Sequence, residues 1–214
     1  MRGFRQLFLF FFFFSQTAIY AGSINPSYSA TIIIDPGHGA QDRGTRASAP
    51  FCEEKRICLQ TSRLVKKYLD QLGYRVIMTR MTDVYVSLPR RVEIADQARA
   101  DLFVSIHYNS APVESAQGIE IFYYESKESK MRSSASRKLA QSILSRMIQR
   151  TSAHSRGVKR GNFLVIREAS MPAVIIEGGF ISNQEERTNL KDHVYIDKLA
   201  RGIADGIDNY CRGK

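Results

Sequence analysis

The sequence alternates short runs of apolar, mostly β-branched residues with longer segments whose apolar residues recur at helical spacing. The first run, Ala30–Asp35, predicts a buried strand. The segment that follows, 53–72, predicts a helix, and Gly73 is placed to end it as a C-cap. Strands alternating with helices are typical of α/β domains. The chain is therefore predicted to form a three-layer α/β fold, with a twisted, mostly parallel (mixed) sheet of about six strands flanked by helices.

The remaining predicted elements continue this alternation. Further strands are predicted at 74–80, 101–109, 118–124, 162–168 and 172–179. Further helices are predicted at 87–100, 133–150 and 196–210, the first with Ser87 as its cap and Pro89 in its first turn. The chain has no internal repeat and no sign of a second domain, so residues 24–214 are expected to form a single domain of ordinary size.

The first 23 residues have the layout of a secretory signal peptide. Arg2 and Arg5 precede an apolar block at 7–14, and small residues follow at 18–23. The block is too short to span a bilayer comfortably. We therefore expect residues 1–23 to be a signal peptide that leaves no stable membrane anchor after cleavage; an uncleaved anchor is the alternative. The expected location is exported, in the periplasm or cell envelope.

The composition is basic, with 31 Lys and Arg against 21 Asp and Glu and a formal net charge of +10. The basic residues are spread along the chain, without a long basic run or an aromatic-basic motif, so nucleic acid is not an expected partner. An anionic polymer of the cell envelope fits an exported chain better. The cysteines Cys52, Cys58 and Cys211 allow at most one internal disulfide. Ordinary thiols are favoured, because Cys52 and Cys58 are expected in or beside one helix.

Ionisable side chains lie at or near the ends of three predicted strands. His38 follows the first strand, His107 ends the third, and Glu177 ends the last, directly before two glycines. Glu53 and Glu54 lie where the first helix is expected to begin. Because the carboxyl ends of parallel strands meet at one edge of a sheet, these groups can converge. Two histidines and a carboxylate are the ligands of a catalytic zinc site.

Each of these residues also has a simpler interpretation. A single histidine at a strand end is more often structural or solvated than a metal ligand. Two histidines near the carboxyl ends of predicted strands, in a chain with only four histidines, favour a shared site. His154 and His193 lie in polar and charged segments, and we expect both to be solvated. For Glu177 the alternative is a carboxylate at a strand terminus paired with an arginine.

Four motifs, in this order, resemble those of the zinc-dependent N-acetylmuramoyl-L-alanine amidases. They are IIIDPGHG with His38, EK with Glu54, LFVSIHYN with His107 and MPAVIIEGGFISN with Glu177. The resemblance covers nearly all of residues 31–210. It implies a phosphorylase/hydrolase-like fold, one Zn²⁺, and hydrolysis of the amide between N-acetylmuramic acid and L-alanine in peptidoglycan.

The resemblance also implies roles for individual residues. His38, Glu54 and His107 match the metal ligands, and Glu177 matches the catalytic glutamate. Glu53 leaves the carboxylate ligand ambiguous, and Glu54 is preferred because the matching glutamate directly precedes a lysine. Glu177 is expected to take a proton from the attacking water and to pass it to the leaving amine.

Other positions are less defined by the resemblance. Asn109 and Arg167 are predicted to bind substrate, with turn capping and neutralisation of a neighbouring acid as their alternatives. Asp35 or Asn109 could orient a ligand histidine, although a turn-capping role is favoured for both. One departure from the family pattern is Ala40, which replaces the last glycine of the usual GHGG.

The segment after the strand at 118–124 is informative for regulation. About eight residues separate Tyr124 from the next predicted helix, whereas division-associated relatives carry a long insertion there that blocks the zinc site. We therefore expect no self-inhibition by such an insertion, with a protein activator as the alternative. The expected partner is peptidoglycan, the expected state is a monomer, and the expected roles are in peptidoglycan catabolism and cell division.

Two other functions and one other mechanism are the alternatives. The same metal and glutamate suit a peptidase that cuts within the stem peptide. A basic envelope-binding protein on an inactive enzyme fold is disfavoured, because all four candidate site residues are present. A penicillin-type serine mechanism needs a Ser-x-x-Lys motif, and no serine in the chain lies three residues before a lysine.

Overall fold

The structure is a computed structural model that describes residues 30–213, so the predicted signal peptide lies outside the described residues. The described strands are β1 (Thr31–Pro36), β2 (Arg46–Ser48), β3 (Phe51–Glu53), β4 (Arg75–Met78), β5 (Leu102–Asn109), β6 (Ile119–Tyr123), β7 (Ser155–Arg160) and β8 (Ala173–Phe180). The described helices are α1 (Glu54–Gln71), α2 (Leu88–Gln97), α3 (Lys130–Thr151), α4 (Leu164–Glu168), α5 (Gln184–Asn189) and α6 (His193–Cys211).

Six of the strands form one sheet in the order β4-β1-β5-β8-β6-β7. Neighbouring strands are parallel except β6 and β8, which are antiparallel. Because β6 and β7 run against the other four strands, their amino ends lie at the same edge as the carboxyl ends of β1, β5 and β8. The mixed, mostly parallel sheet of six strands is confirmed.

Helices cover both faces of this sheet. In β1, Ile32 and Ile34 belong to the larger core cluster, which includes residues of α1, α3 and α6. Ile33 belongs to the smaller cluster with residues of α2 and α4. All three isoleucines are fully buried, because successive side chains of a strand point to opposite faces and both faces are covered. This arrangement is the predicted three-layer architecture.

The prediction of a strand at 162–168 is wrong. The structure has helix α4 there, and the strand in this region is β7, just before it. The short apolar run Leu-Val-Ile was compatible with either element, and in α4 it packs Val165 and Ile166 into the smaller core cluster. The edge strand β7, with the sequence SRGVKR, has no fully buried residue, so it carries no apolar signal.

Three further features bear on the sequence predictions. The β6–α3 connection is short, because β6 ends at Tyr123 and α3 begins at Lys130. Ser129 caps α3 by accepting a hydrogen bond from the Arg132 backbone. Cys52, Cys58 and Cys211 are free thiols. Among residues 30–213, no helix combines the length and the apolar character that crossing a membrane requires.

Candidate metal centre

His38, Glu54 and His107 lie together at the carboxyl edge of the sheet. One candidate ligand atom from each lies within 4.8 Å of the others. Glu54 Oε1 is 2.9 Å from His38 Nε2 and 3.0 Å from His107 Nδ1. Glu53 instead forms ion pairs with Arg43 and Arg56, which resolves the ambiguity between the two glutamates in favour of Glu54 as the group facing the histidines.

The other two histidines lie elsewhere in the structure. His154 and His193 are both exposed, as expected for solvated side chains. His193 is the first residue of α6, and its Nδ1 lies 3.0 Å from Gln60 Nε2. Neither belongs to the group formed by His38, Glu54 and His107.

The turn after β1 gives His38 its position. His38 has φ +61° and Ala40 has φ +51°, both in the left-handed region. Left-handed backbone costs an L-residue roughly 1–2 kcal/mol, which accounts for glycine being usual at the position of Ala40. His38 Nδ1 lies 2.8 Å from Asp42 Oδ1, so its other ring nitrogen, Nε2, faces Glu54. Sequence analysis did not find Asp42; its spacing of four residues from His38 within one loop was the available signal.

Two glycines make room for the candidate ligands. A Cβ at Gly37 would lie 2.3 Å from Cε1 of His107. A Cβ at Gly44, where φ is +64°, would lie 2.5 Å from Oε2 of Glu54 and 2.6 Å from Cδ2 of His38. Carbon atoms do not approach so closely without a shift, so only bare backbone fits at both positions.

Glu54 is the first residue of α1 and is buried. Its Oε2 accepts a hydrogen bond from the Thr45 backbone at 2.9 Å, and its Oε1 accepts one from the Tyr108 backbone at 3.2 Å. Burial alone would raise the pKa of Glu54, but the bonds and charges of His107 and His38 outweigh it and hold the pKa far below its usual value. Glu54 is therefore an ionised carboxylate, the form that binds a metal.

The pKa of His38 is raised, whereas that of Glu54 is lowered. Burial by itself would lower the pKa of His38, but hydrogen bonds and charges from Glu54 and Asp42 raise it above its ordinary value. The negative charge around the imidazole is the reason, and the same negative charge attracts a divalent cation.

Glu177 lies beside this group in β8. It pairs in register with His107 of β5 on one side and with Glu120 of β6 on the other. The strand continues past Glu177 to Phe180. Oε2 of Glu177 is buried and has no hydrogen-bond partner among the described residues. Burial, followed by the charges of Glu54 and Glu120, raises the pKa of Glu177 well above its usual value.

Asp35 has a structural rather than an orienting role. Its buried carboxylate accepts hydrogen bonds from Thr79 at 2.5 Å, Arg91 at 2.6 Å and Ser105 at 2.7 Å. Burial favours the neutral form, but these partners, first the charge of Arg91, lower the pKa of Asp35. The carboxylate therefore ties β1 to β5 and α2, and Asp42 is the acid that contacts His38.

Two buried arginines fix the turn that carries His38. Arg91 donates to the His38 carbonyl at 2.8 Å. Arg80 donates to the Gly37 carbonyl at 2.6 Å and to the Lys55 carbonyl at 2.9 Å. The turn and the start of α1 are thereby tied together, so the two elements that carry His38 and Glu54 keep a fixed separation. Neither arginine was singled out from the sequence.

The two predicted substrate-binding residues are not members of the His38, Glu54 and His107 group. Asn109 ends β5, and its Nδ2 donates to Oε1 of the buried Glu120 at 2.8 Å. Arg167 lies on α4, where it contacts Glu168 at 2.7 Å and Asn162 at 2.8 Å. The contact with Glu168 is the neutralising pair considered for Arg167. Substrate binding by either residue stays a prediction.

Replacing Asp42 with alanine is expected to weaken zinc binding by about 10–100-fold, the usual cost of removing a carboxylate that orients a ligand histidine. The carboxylate of Asp42 is about half exposed, so the fold should persist. Zinc titration against a competing chelator measures the change. Asp70→Ala, on the exposed end of α1, is the matched control. Equal zinc affinity in Asp42→Ala and Asp70→Ala would contradict the orienting role.

Comparisons with known proteins agree with this arrangement. Residues 32–209 match the Amidase_3 family model, described as N-acetylmuramoyl-L-alanine amidase. The chain is 37% identical over 188 residues to N-acetylmuramoyl-L-alanine amidase LytC of Bacillus subtilis, covering 88% of this chain and 37% of LytC. The chain spans 37% to 60% of the length of the first curated relatives it matches.

Solved structures show the same fold. The N-acetylmuramoyl-L-alanine amidase of Clostridium difficile 630 has a TM-score of 0.81 and 35% identity, covering 87% of this chain and 98% of that one. The CwlD amidase of Clostridioides difficile, solved in complex with the GerS lipoprotein, has a TM-score of 0.79 and 29% identity, covering 86% and 100%. The family match over most of the chain, with these likenesses, shows that the chain belongs to the Amidase_3 family of N-acetylmuramoyl-L-alanine amidases.

Proposed function

We propose that this protein is a zinc-dependent N-acetylmuramoyl-L-alanine amidase, which hydrolyses the amide between N-acetylmuramic acid and L-alanine of peptidoglycan. The observation that carries the proposal is the group of His38, Glu54 and His107 with the buried Glu177 beside it. Membership of the amidase family and likeness to amidase structures support the choice of bond.

The donor set fits Zn²⁺. Two imidazoles and one carboxylate are ligands that catalytic zinc sites use, with a fourth position left for water or substrate. When bound, zinc would act as a Lewis acid and would lower the pKa of a water molecule to about 7. We assign His38, Glu54 and His107 as the metal ligands. The bare backbone at Gly37 and Gly44 supports this assignment, because it allows the three side chains to approach one another.

Glu177 is assigned as the general base and acid. Its Oε2 has no hydrogen-bond partner in the described part of the chain, so it is available to a water proton. A carboxylate whose pKa is raised by burial is a stronger base than one in water. The same carboxyl then protonates the leaving nitrogen of L-alanine. Asn109 and Arg167 are proposed to bind polar groups of the substrate.

The setting of the reaction is also part of the proposal. Residues 1–23 are proposed as a signal peptide and 24–214 as the catalytic domain, with no stable membrane anchor after cleavage. Action outside the cytoplasm, in the periplasm or cell envelope, follows from a peptidoglycan substrate. We propose a monomer with a role in peptidoglycan catabolism; a role in cell division stays a prediction. A protein activator is the alternative, supported by the CwlD amidase having been solved with GerS.

Mass analysis of a digest tests this function. The purified protein, loaded with zinc, is incubated with peptidoglycan and no other protein. The expected products are peptide-free glycan and stem peptides that begin with L-alanine. Glycan that still carries shortened peptides would identify a peptidase instead. The short β6–α3 connection supports activity without a partner, so a strict requirement for added envelope protein would contradict that part.

A further inference from the structure

A buried carboxylate one strand beyond Glu177 holds two basic side chains. Glu120 of β6 accepts hydrogen bonds on Oε2 from Arg156 Nε at 2.8 Å and from Lys159 Nζ at 2.5 Å. The side chain of Glu120 is 5% exposed, whereas those of Arg156 and Lys159 are 32% and 40% exposed. The buried Glu120 therefore holds the two cationic side chains from inside the protein, and both are partly exposed at the surface. We call Glu120, Arg156 and Lys159 the β6–β7 basic cluster.

The register of the sheet places this cluster next to the reaction centre. Glu120 is the cross-strand partner of Glu177, which is in register with His107. Directly paired residues have Cβ atoms about 4.5–5.5 Å apart and point to the same face. The order across the strands is therefore His107, Glu177 and Glu120, and Glu120 pairs with Gly157 of β7. Lys159 lies two residues further along β7, and its ammonium group extends to Glu120.

The β6–β7 basic cluster has hydrogen-bond donors that Glu120 does not use. Glu120 is ionised: burial would raise its pKa, but Lys159 and Arg156 outweigh this and lower it. The charge of Arg156 also acts on the carboxyl group of Glu186, so the spare binding capacity of the cluster lies mainly with Lys159. An ammonium group has three donors, and Glu120 is the hydrogen-bond partner that the described residues give Lys159. Donors of Lys159 therefore remain for a ligand.

The cluster is held in a fixed conformation and has an apolar neighbour. The guanidinium of Arg156 lies 4.9 Å from the Phe180 ring centre, and its Nη1 donates to the Gln117 carbonyl at 3.3 Å. Lys159 is the register partner of Phe122, whose ring packs edge-on against the exposed Phe163 at 5.3 Å. A cation that is already held in place beside apolar side chains suits an anionic group on a carbon chain, because its side chain loses little further conformational freedom on binding.

We propose that Arg156 and Lys159 form a subsite that binds a free carboxylate on the peptide arm of the substrate; this inference rests on the proposed function. An extended peptide advances about 3.3 Å per residue, so the second residue after the cleaved amide lies about 7 Å away. Neighbouring strands are about 4.8 Å apart, so β6 lies about 4.8 Å and β7 about 10 Å from the strand that carries Glu177. A γ-linked D-glutamate after L-alanine has its free α-carboxylate at this distance. The subsite therefore selects stem peptides in which that carboxylate is not amidated.

Two synthetic substrates that differ in one group test the subsite. They are N-acetylmuramoyl-L-alanyl-D-glutamate with its γ-carboxyl converted to a methylamide, which leaves the α-carboxylate free, and the neutral analogue in which the α-carboxyl is a carboxamide as well. The zinc-loaded wild type is expected to show a kcat/KM about fivefold higher for the carboxylate, the size of one partly exposed charge pair. In Lys159→Met this ratio should fall to about one, and Lys159→Arg should restore it. Lys138→Met, an exposed lysine of α3, is the matched control and should keep the wild-type ratio.

The ratio is taken within each variant, so a general loss of activity does not affect it. A wild-type ratio near one, or an unchanged ratio in Lys159→Met, would overturn the subsite. Hydrolysis of the neutral substrate reports separately on the proposed function. Calorimetric binding of the corresponding free L-alanyl dipeptides, both as γ-methylamides and with the α-carboxyl either free or a carboxamide, makes the same comparison without turnover, and equal affinities would also overturn the subsite.

Discussion

Replacing Glu177 with glutamine is expected to lower kcat on peptidoglycan by about 10²–10⁴-fold, the usual contribution of a positioned general base. Glutamine has nearly the same shape but cannot take a proton from water. The side chain lies next to His107 and is not one of the three proposed ligands, so zinc content should stay at the wild-type level. Metal analysis and the release of soluble muropeptides measure the two quantities.

The melting temperature gives an independent check on the same variant. The folded-state pKa of Glu177 is raised by burial, so the folded protein binds this proton more tightly than the unfolded chain does. Stability therefore falls as the pH rises from the unfolded towards the folded pKa. A neutral amide removes this cost, and the metal-free Glu177→Gln protein should melt no lower than the wild type at pH 7. Glu93→Gln, at an exposed position of α2, is the control for activity. Wild-type turnover in Glu177→Gln would contradict the assignment.

Replacing His107 with alanine is expected to abolish both zinc binding and turnover. The substitution removes one of three donors and leaves His38 and Glu54, which cannot complete a site that needs three protein ligands. His38→Ala should behave in the same way. Zinc content after dialysis and muropeptide release provide the measurements.

A surface histidine supplies the control for these two variants. His193 is exposed and belongs to α6, away from the candidate ligands, so His193→Ala should keep both zinc and turnover. Full zinc content in His107→Ala or His38→Ala would show that the residue is not a ligand. Loss of zinc with turnover retained would contradict the metal-dependent mechanism itself.

The central part of the fold could be predicted because its strands are buried on both faces. The runs of β1, β5 and β8 are almost continuously apolar, and each predicted strand there is confirmed. The edge strand β7 could not be found in the same way. It lies at the side of the sheet and is polar, while the neighbouring apolar run belongs to the short helix α4.

The candidate ligands could be predicted for a related reason. His38 follows the buried strand β1 and His107 lies near the end of the buried strand β5, and the topology alone brings such ends together. The supporting residues gave no comparable signal. Arg91 reaches Asp35 across 56 positions of the sequence, and Glu120 meets Glu177 only through the antiparallel pairing of β6 with β8. Contacts between polar residues so far apart depend on the tertiary fold rather than on local pattern.

Arg80 and Arg91 bind main-chain oxygens of the turn that carries His38, and not the ligand side chains themselves. The turn is consequently preorganised by the protein core: folding itself sets the position of the backbone that carries His38, whatever later binds to its side chain.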